Sequence, residues 1–367
     1  MTPPSPLLWL ALSPHGYGHM AMTAPVVNAL RQCRPDVRLT IQTNIPRSVL
    51  ARRYGDAFEH VPEIPDFGFV MNSSTDIDIE ASMDRYRRLH ADWDGIVAME
   101  AARLRKAAPC LVLANVPYTI LAAAHEAGIP AIAMSSLNWA DLFHHYLGGF
   151  PDAVRIESQM RTAYDSAKIF LRCLPAMEMH LSHVRDIGPL AKRGRARSDE
   201  LRTLLNIPSG RRLGLFAFGG IRHDLPLERV PRLEGWHWLA GGACPAREDM
   251  SSWDGLEMDF TDLVASADVV ISKPGYGIFT EAGLSGTPVL FQERPDWPET
   301  IHLEAWLKQR APCRAASESE IFSPYLQKLL MELDGDVRPP RNETSGIEEA
   351  VSVLISALNE SASCERS

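Results

Sequence analysis

The sequence predicts an α/β protein built as two doubly wound, parallel-sheet domains, on three observations. Apolar runs of strand length alternate with helix-like segments along nearly the whole chain, and such alternation belongs to parallel sheets covered by helices. A unit of strand, glycine turn and helix occurs once in each half, at residues 7–30 and 267–290. The length of 367 residues exceeds one ordinary core and suits two domains of the usual size.

The first domain is expected at residues 1–190. Residues 7–13 read as a buried strand, followed by the turn Pro14-His15-Gly16-Tyr17-Gly18-His19 and a helix over 20–30. Pro25 would start or kink that helix. A strand is expected at 37–42, a helix at 47–54, and a strand running into a loop at 59–69. Residues 76–99 place charged and apolar side chains at amphipathic spacing and predict one or two helices. A strand at 110–114, a helix at 119–127 stopped by Gly128, and a strand at 131–134 follow. The cluster Trp139, Phe143, His144, His145 and Tyr146 reads either as the lining of a pocket or as a half-buried aromatic helix. Another strand is expected at 168–173. Residues 191–198, AKRGRARS, form a basic linker, which in an acidic chain reads as a solvated hinge.

The second domain is expected at 191–343, opening with a short helix near Leu201. Its strands are a run at 213–218 ending in Gly219-Gly220 and one at 238–240 ending in Gly241-Gly242. A short helix at 260–266 leads to the strand 267–271. Pro274, Gly275 and Gly277 then break that strand, a helix over 278–284 stops at Gly286, and a second strand lies at 288–291. Helices are predicted at 297–309 and 323–333, the latter with Ser323 as cap and Pro324 in its first turn. Residues 344–367 hold a final amphipathic helix, 346–358, and an end expected to fray.

The second glycine turn carries the chemistry. At the carboxyl edge of a parallel strand, the unpaired amides and positive dipole end of the following helix face outward and favour an anion. Gly275 and Gly277 let the backbone come close to it, because a side chain there would hold a phosphate off. Glu281 falls one turn into the helix. A carboxylate repels a phosphate, so its partner reads as a sugar diol beside one. The competing reading is a plain helix-capping turn with a surface glutamate.

Composition narrows the partners. The net charge of −9 argues against nucleic acid as the main partner. The six cysteines are widely scattered with no pair at metal spacing, and read as reduced thiols of a cytoplasmic protein. Residues 7–12 are too short for a signal-peptide core and lack a basic leader. No stretch approaches the roughly 20 apolar residues of a membrane span, so any membrane contact would be peripheral.

Several stretches resemble the glycosyltransferases of the GT-B fold. The similarity is closest to family 28, whose type member is the N-acetylglucosaminyltransferase of peptidoglycan synthesis, and to the plant-type glucosyltransferases; the chain also resembles the glycosyltransferase-like amino-terminal half of plant arabinokinases. GYGHMAMTAPVVNAL matches the family's first loop and helix, and NWADLFHHYL resembles an arabinokinase segment. IGPL and FAFGG look like the linker and the first strand of the nucleotide domain. The most specific match is SKPGYGIFTEAGLSGTPVLFQERPDWPETIHLEAWL, and the likeness covers most of residues 7–315.

The resemblance implies two Rossmann-like domains facing a cleft, a nucleotide-sugar donor held mainly by the second and a hydroxyl acceptor met mainly by the first. It assigns Gly275, Tyr276 and Gly277, with Gly219 and Gly220, to the donor diphosphate, and Glu281 to the ribose hydroxyls. Residues 258–260, with Phe260, would flank the nucleobase, and Glu299 and His302 would lie against the donor sugar, although the aspartate–glutamine pair of relatives is absent there. His19 matches the base that deprotonates the acceptor, a role an imidazole can fill near neutrality. His15 is a weaker candidate on the same turn as Gly18. Where relatives place an orienting aspartate, this chain has Asn115. Asp76-Ile77-Asp78 spells a metal-binding triplet of the other main glycosyltransferase fold, but it sits in a charged first-domain segment, and no metal or cofactor is expected. The reaction implied is an inverting, metal-independent transfer from a uridine diphosphate sugar to an unidentified hydroxyl. Two alternatives stand beside it: a nucleotide-sugar hydrolase or epimerase on the same fold, and a non-catalytic regulatory protein that binds the nucleotide sugar.

Overall fold

In the computed structural model, residues 5–73, 76–218, 225–333 and 345–364 are described, the side chains of 362–364 excepted. The chain divides into two compact units, Met1–Leu190 with Thr344–Ser367, and Ala191–Glu343.

The first unit runs β1 (Leu7–Leu12), α1 (Gly18–Cys33), β2 (Arg38–Gln42), α2 (Arg47–Tyr54), β3 (Glu59–Val61), α3 (Ile79–Ala91), α4 (Trp93–Ala107), β4 (Leu111–Asn115), α5 (Thr119–Ala127), β5 (Ala131–Ser135), α6 (Trp139–Leu147), α7 (Ala153–Asp165), β6 (Ile169–Cys173) and β7 (Val184–Ile187). Among the described residues its seven strands are all parallel, in the order β3-β2-β1-β4-β5-β6-β7. The central strands β1, LLWLAL, and β4, LVLAN, are buried at every position. Helices on both faces leave such strands no solvent side, so their sequences do not alternate.

The second unit runs α8 (Ser198–Leu204), β8 (Arg212–Phe216), β9 (Trp236–Ala240), β10 (Met250–Ser252), α9 (Phe260–Ser266), β11 (Val269–Ser272), α10 (Tyr276–Ser285), β12 (Val289–Gln292), α11 (Thr300–Lys308), β13 (Cys313–Ala316), α12 (Glu318–Ile321) and α13 (Leu326–Leu333). Among the described residues its six strands are also parallel, in the order β10-β9-β8-β11-β12-β13. Packing is tight at its centre. A Cβ on Gly214 would stand 2.2 Å from the Trp238 ring, which is itself stacked on Trp236 at 5.3 Å. Only glycine fits that point of β8.

The last helix, α14 (Gly346–Cys364), belongs to the first unit and packs on α1, β4 and β7. Glu349 accepts from the Gly188 amide at 3.2 Å, and Lys168 pairs with Glu360 at 2.7 Å. The sequence placed this helix as a separate tail after the second domain; the chain in fact returns to cover the first sheet. No described helix is long and apolar enough to cross a membrane.

Some elements differ from expectation. The edge strands β7, β10 and β13 read VRDI, MSS and CRAA, and these polar, partly exposed runs carry no apolar signal. The helix expected from residue 297 begins at Thr300, and the one expected from 323 begins at Leu326. Residues 76–99 fall into two helices, α3 and α4, and the aromatic cluster after β5 is the helix α6.

Candidate functional site

In both sheets the strand order reverses beside the first strand of the unit, between β1 and β4 and between β8 and β11. At such a reversal the loops leaving two adjacent carboxyl ends turn to opposite faces, and the crevice between them is where doubly wound sheets bind ligands. Both glycine turns of the sequence fall at these points.

In the first unit, Leu12 at the end of β1 pairs with Asn115 at the end of β4. His19 is the second residue of α1, 7 % exposed, and its Nδ1 lies 2.7 Å from Asn115 Oδ1. The Asn115 amide nitrogen donates to the Met134 carbonyl of β5 and contacts Met22 Sδ at 3.2 Å. A carbonyl oxygen only accepts, so the NH2 group must face Met134 and the amide oxygen must face His19. His19 Nδ1 therefore carries the proton, and Nε2, with no hydrogen-bond partner among the described residues, presents its lone pair. Burial pushes the His19 pKa down to about 4, and the Asn115 hydrogen bond only partly offsets it. The ring is a neutral base in its resting state.

One aromatic side chain meets this histidine, and others pack behind it. Trp139, at the start of α6, meets the His19 ring edge-on at 5.8 Å and the His15 ring at 5.3 Å. Phe69 packs on Trp139 at 6.0 Å and on Tyr146 at 5.5 Å. Gly16 has a left-handed φ of 80°, which the turn requires. Gly18 is exposed, and a Cβ built on it would meet nothing within 4 Å. His15 is half-buried on the same turn.

In the second unit, Ile271 of β11 pairs with Phe216 of β8, and Ser272 Oγ donates to the Ala217 carbonyl at 2.6 Å. Gly275 is the N-cap of α10, with no side chain to satisfy the first amides of the helix. The helix begins at Tyr276, so Gly277 lies in its first turn rather than in the loop. Gly275 has extended backbone, with φ −169°. A Cβ there would touch only Ile278 and the Lys273 carbonyl at 3.9 and 4.0 Å, and one on Gly277 would touch nothing within 4 Å. Neither backbone strain nor packing within the described chain calls for glycine at these two positions. Glu281 is half-buried on α10, neither sealed in the core nor fully in solvent. Gly219 and Gly220 lie outside the described residues.

Lys273, between the end of β11 and the glycine turn, was not singled out from the sequence. It is half-buried, and burial, with the Arg294 guanidinium next in effect, holds its pKa down to about 8. Its position directly before a glycine turn at a strand end was the one available signal.

Glu299 and His302 flank the start of α11, which follows β12, the neighbour of β11. Glu299 is buried and accepts from Trp297 Nε1 at 3.3 Å, while His302 is half-buried. Phe260 opens α9 and packs edge-on against Trp253 at 5.8 Å. The acidic triplet has local duties: Asp78 caps α3 by accepting from the Ala81 amide at 2.9 Å, and Asp76 accepts from Asn72 at 3.0 Å. Among the described residues no group of three or more His, Cys, Asp and Glu side chains is gathered for a metal.

No family profile matches the chain. Its sequence is 24 % identical over 305 residues to the L-arabinokinase of Arabidopsis thaliana, a match covering 80 % of this chain and 29 % of that protein. The chain thus spans less than a third of that relative's length. Among solved structures it is similar to MurG of Acinetobacter baumannii, with a TM-score of 0.56 and 14 % identity over 96 % of this chain and 99 % of that one. It is equally similar to a UDP-glucosyltransferase from Polygonum tinctorium, with a TM-score of 0.56 and 13 % identity over 98 % of this chain and all of the other. The two doubly wound parallel-sheet units of this chain are those of the GT-B glycosyltransferase fold.

Proposed function

We propose that this chain is a glycosyltransferase that moves a sugar from a uridine diphosphate donor to a hydroxyl acceptor, with inversion at the anomeric carbon and without a bound metal. The observation that carries the reading is the buried His19–Asn115 pair at the β1/β4 reversal, which fixes the tautomer of an imidazole next in sequence to the exposed Gly18. A helix-capping histidine has no need of an amide anchored across the sheet to Met134.

The first unit binds the acceptor. Its hydroxyl proton passes to His19 Nε2 as the oxygen attacks the anomeric carbon, while the bond from that carbon to the diphosphate oxygen breaks. Attack opposite the leaving group inverts the centre. The second unit binds the donor. The first amides of α10, brought close by Gly275 and Gly277, and the ammonium of Lys273 meet the diphosphate and the charge it gains on leaving. Glu281 accepts from the ribose hydroxyls, Phe260 lies by the base, and Glu299 and His302 face the sugar. The fixed amides and the lysine do the work that a cation does in metal-dependent transferases.

The likeness to a UDP-glucosyltransferase supports a uridine donor. Analysis of products tests the reaction. Incubation with UDP-sugars and a mixed panel of hydroxyl acceptors is expected to yield UDP together with glycosylated acceptor. Free sugar alone would make the protein a hydrolase, and an isomerised nucleotide sugar an epimerase.

A further inference from the structure

His19 depends on two side chains that do not belong to its own helix. The Asn115 amide that orients the ring stands at the end of β4, and Trp139, whose ring meets it edge-on at 5.8 Å, opens α6. Tyr164, 2 % exposed near the end of α7, reaches between those two segments. Its hydroxyl donates to the carbonyl of Val116, the residue after Asn115, at 2.6 Å, and accepts from the Trp139 amide at 3.1 Å. Burial holds the Tyr164 pKa well above the usual tyrosine range, so the proton that makes the first bond stays in place.

Other bonds hold each segment separately. The Asn115 carbonyl accepts from the Ser13 amide at 3.0 Å, which ties the end of β4 to the end of β1. Asn138 caps α6 by accepting from the Asp141 amide at 2.8 Å, and Arg161, one turn before Tyr164 on α7, donates to the Asp141 carboxylate at 2.8 Å. The Tyr164 hydroxyl joins the first set to the second. Its ring packs on Tyr118 at 6.0 Å and on Phe170 at 5.8 Å, contacts that a phenylalanine would keep. What the hydroxyl adds is one oxygen that gives a proton to one flank of the base and takes one from the other.

We infer that Tyr164 is a positioning residue for His19, an inference that rests on the transferase reading above. Its hydroxyl sets the separation of Val116 from Trp139 and so keeps the Asn115 amide and the Trp139 ring in register with the imidazole. The tolerance is small. A contact of 2.7 Å stretched by about 1 Å is no longer a hydrogen bond, and a misplacement of that size at a reacting group can lower the rate by about 100-fold.

The test uses the full chain and the variant Tyr164→Phe, with two readouts. Nuclear magnetic resonance of isotope-labelled histidine needs no substrate, and the His19 signal is assigned by its loss in His19→Ala. The wild-type ring is expected to carry its proton on Nδ1. In Tyr164→Phe both tautomers are expected, with the Nδ1 proton exchanging with water about 10-fold faster or more. Transfer from UDP-glucose, UDP-galactose or UDP-N-acetylglucosamine to glucose, glycerol or phenol is the second readout. There kcat is expected to fall by about 10- to 100-fold, with KM for the donor unchanged within about twofold. Tyr118→Phe is the control: it removes a buried hydroxyl bonded to His90 at 2.8 Å, and should lower the melting temperature while leaving the His19 signal and kcat as they were. A wild-type ring protonated on Nε2 overturns the inference. So does a Tyr164→Phe protein with unchanged tautomer and exchange, an altered signal with unaltered kcat, or an equal effect of Tyr118→Phe. Should Tyr164→Phe not fold, 3-fluorotyrosine at position 164 makes the hydroxyl a stronger donor at nearly the same size. Exchange of the Nδ1 proton should then slow, and an unchanged rate overturns the inference. A wild-type protein that shows the Nδ1 proton but transfers no sugar overturns the transferase reading instead, and with it any part for Tyr164 in turnover.

Discussion

Asn115 Oδ1 lies 2.7 Å from His19 Nδ1, and the same amide is tied on its other side to the Met134 carbonyl. Two strands, β4 and β5, and the start of α1 are thereby tied together at one imidazole. His19→Ala removes the base and leaves the second unit untouched. Turnover is expected to fall by about 100-fold or more with the dissociation constant for UDP unchanged. Steady-state rates beside a calorimetric titration check both halves, and turnover that survives the change removes His19 from the mechanism.

Stability should fall in mild acid. His19 and His90 are both held down to about 4 by burial, below the usual value of about 6.5 for an unfolded histidine. Between those values the unfolded chain binds more protons, so this stabilisation is complete above about 6.5 and is lost as pH falls toward 4. Asp66 works the other way. Buried and accepting from Tyr118 and Thr119, it is raised to about 6, so its contribution is present at low pH and is lost as pH rises through that value. The two imidazoles outweigh one carboxyl, and urea unfolding should show a net loss of about 1–3 kcal/mol from pH 7 to pH 5. Asp66→Asn removes the opposing group and should steepen the loss. A flat profile would contradict the buried, neutral state of the two histidines.

The parts of the fold legible in the sequence are those whose burial leaves a direct pattern. β1, β4 and β11 are fully buried and read as unbroken apolar runs. The turns after β1 and β11 announce themselves through glycine; Glu281 was marked by its place one turn into the following helix, and His19 by the resemblance of its turn to that of the GT-B transferases. Where partial exposure dilutes the pattern, as at β7 and β13, nothing in the sequence marked a strand. The return of α14 to the first unit is a tertiary event that an amphipathic pattern cannot foretell. Likewise, a lysine after a strand reads as solvated until the fold buries it, which is why Lys273 went unnoticed. Asn115 was visible as a departure from a carboxylate, but the direction of its amide depends on Met134 of a different strand.

Lys273 gives donor binding a pH dependence. With a value of about 8 the ammonium is mostly charged at pH 7 and mostly neutral at pH 9. Only the charged form attracts a diphosphate, so the dissociation constant for UDP should rise by about 10-fold over that interval. Lys273→Met should weaken binding at pH 7 and flatten the dependence. A wild-type constant that stays level from pH 7 to pH 9 would detach Lys273 from the diphosphate.

The most direct measurement is a titration of UDP into the wild-type protein and into Glu281→Ala, read by calorimetry and by melting temperature. UDP at a hundred times its dissociation constant should stabilise the wild-type fold by about 2.7 kcal/mol. Loss of the Glu281 carboxylate should weaken binding by about 10- to 100-fold, as expected when a charged hydrogen bond is removed. A wild-type protein whose melting temperature does not respond to UDP, or a Glu281→Ala protein that binds UDP as tightly as wild type, would contradict a nucleotide-sugar site at the start of α10.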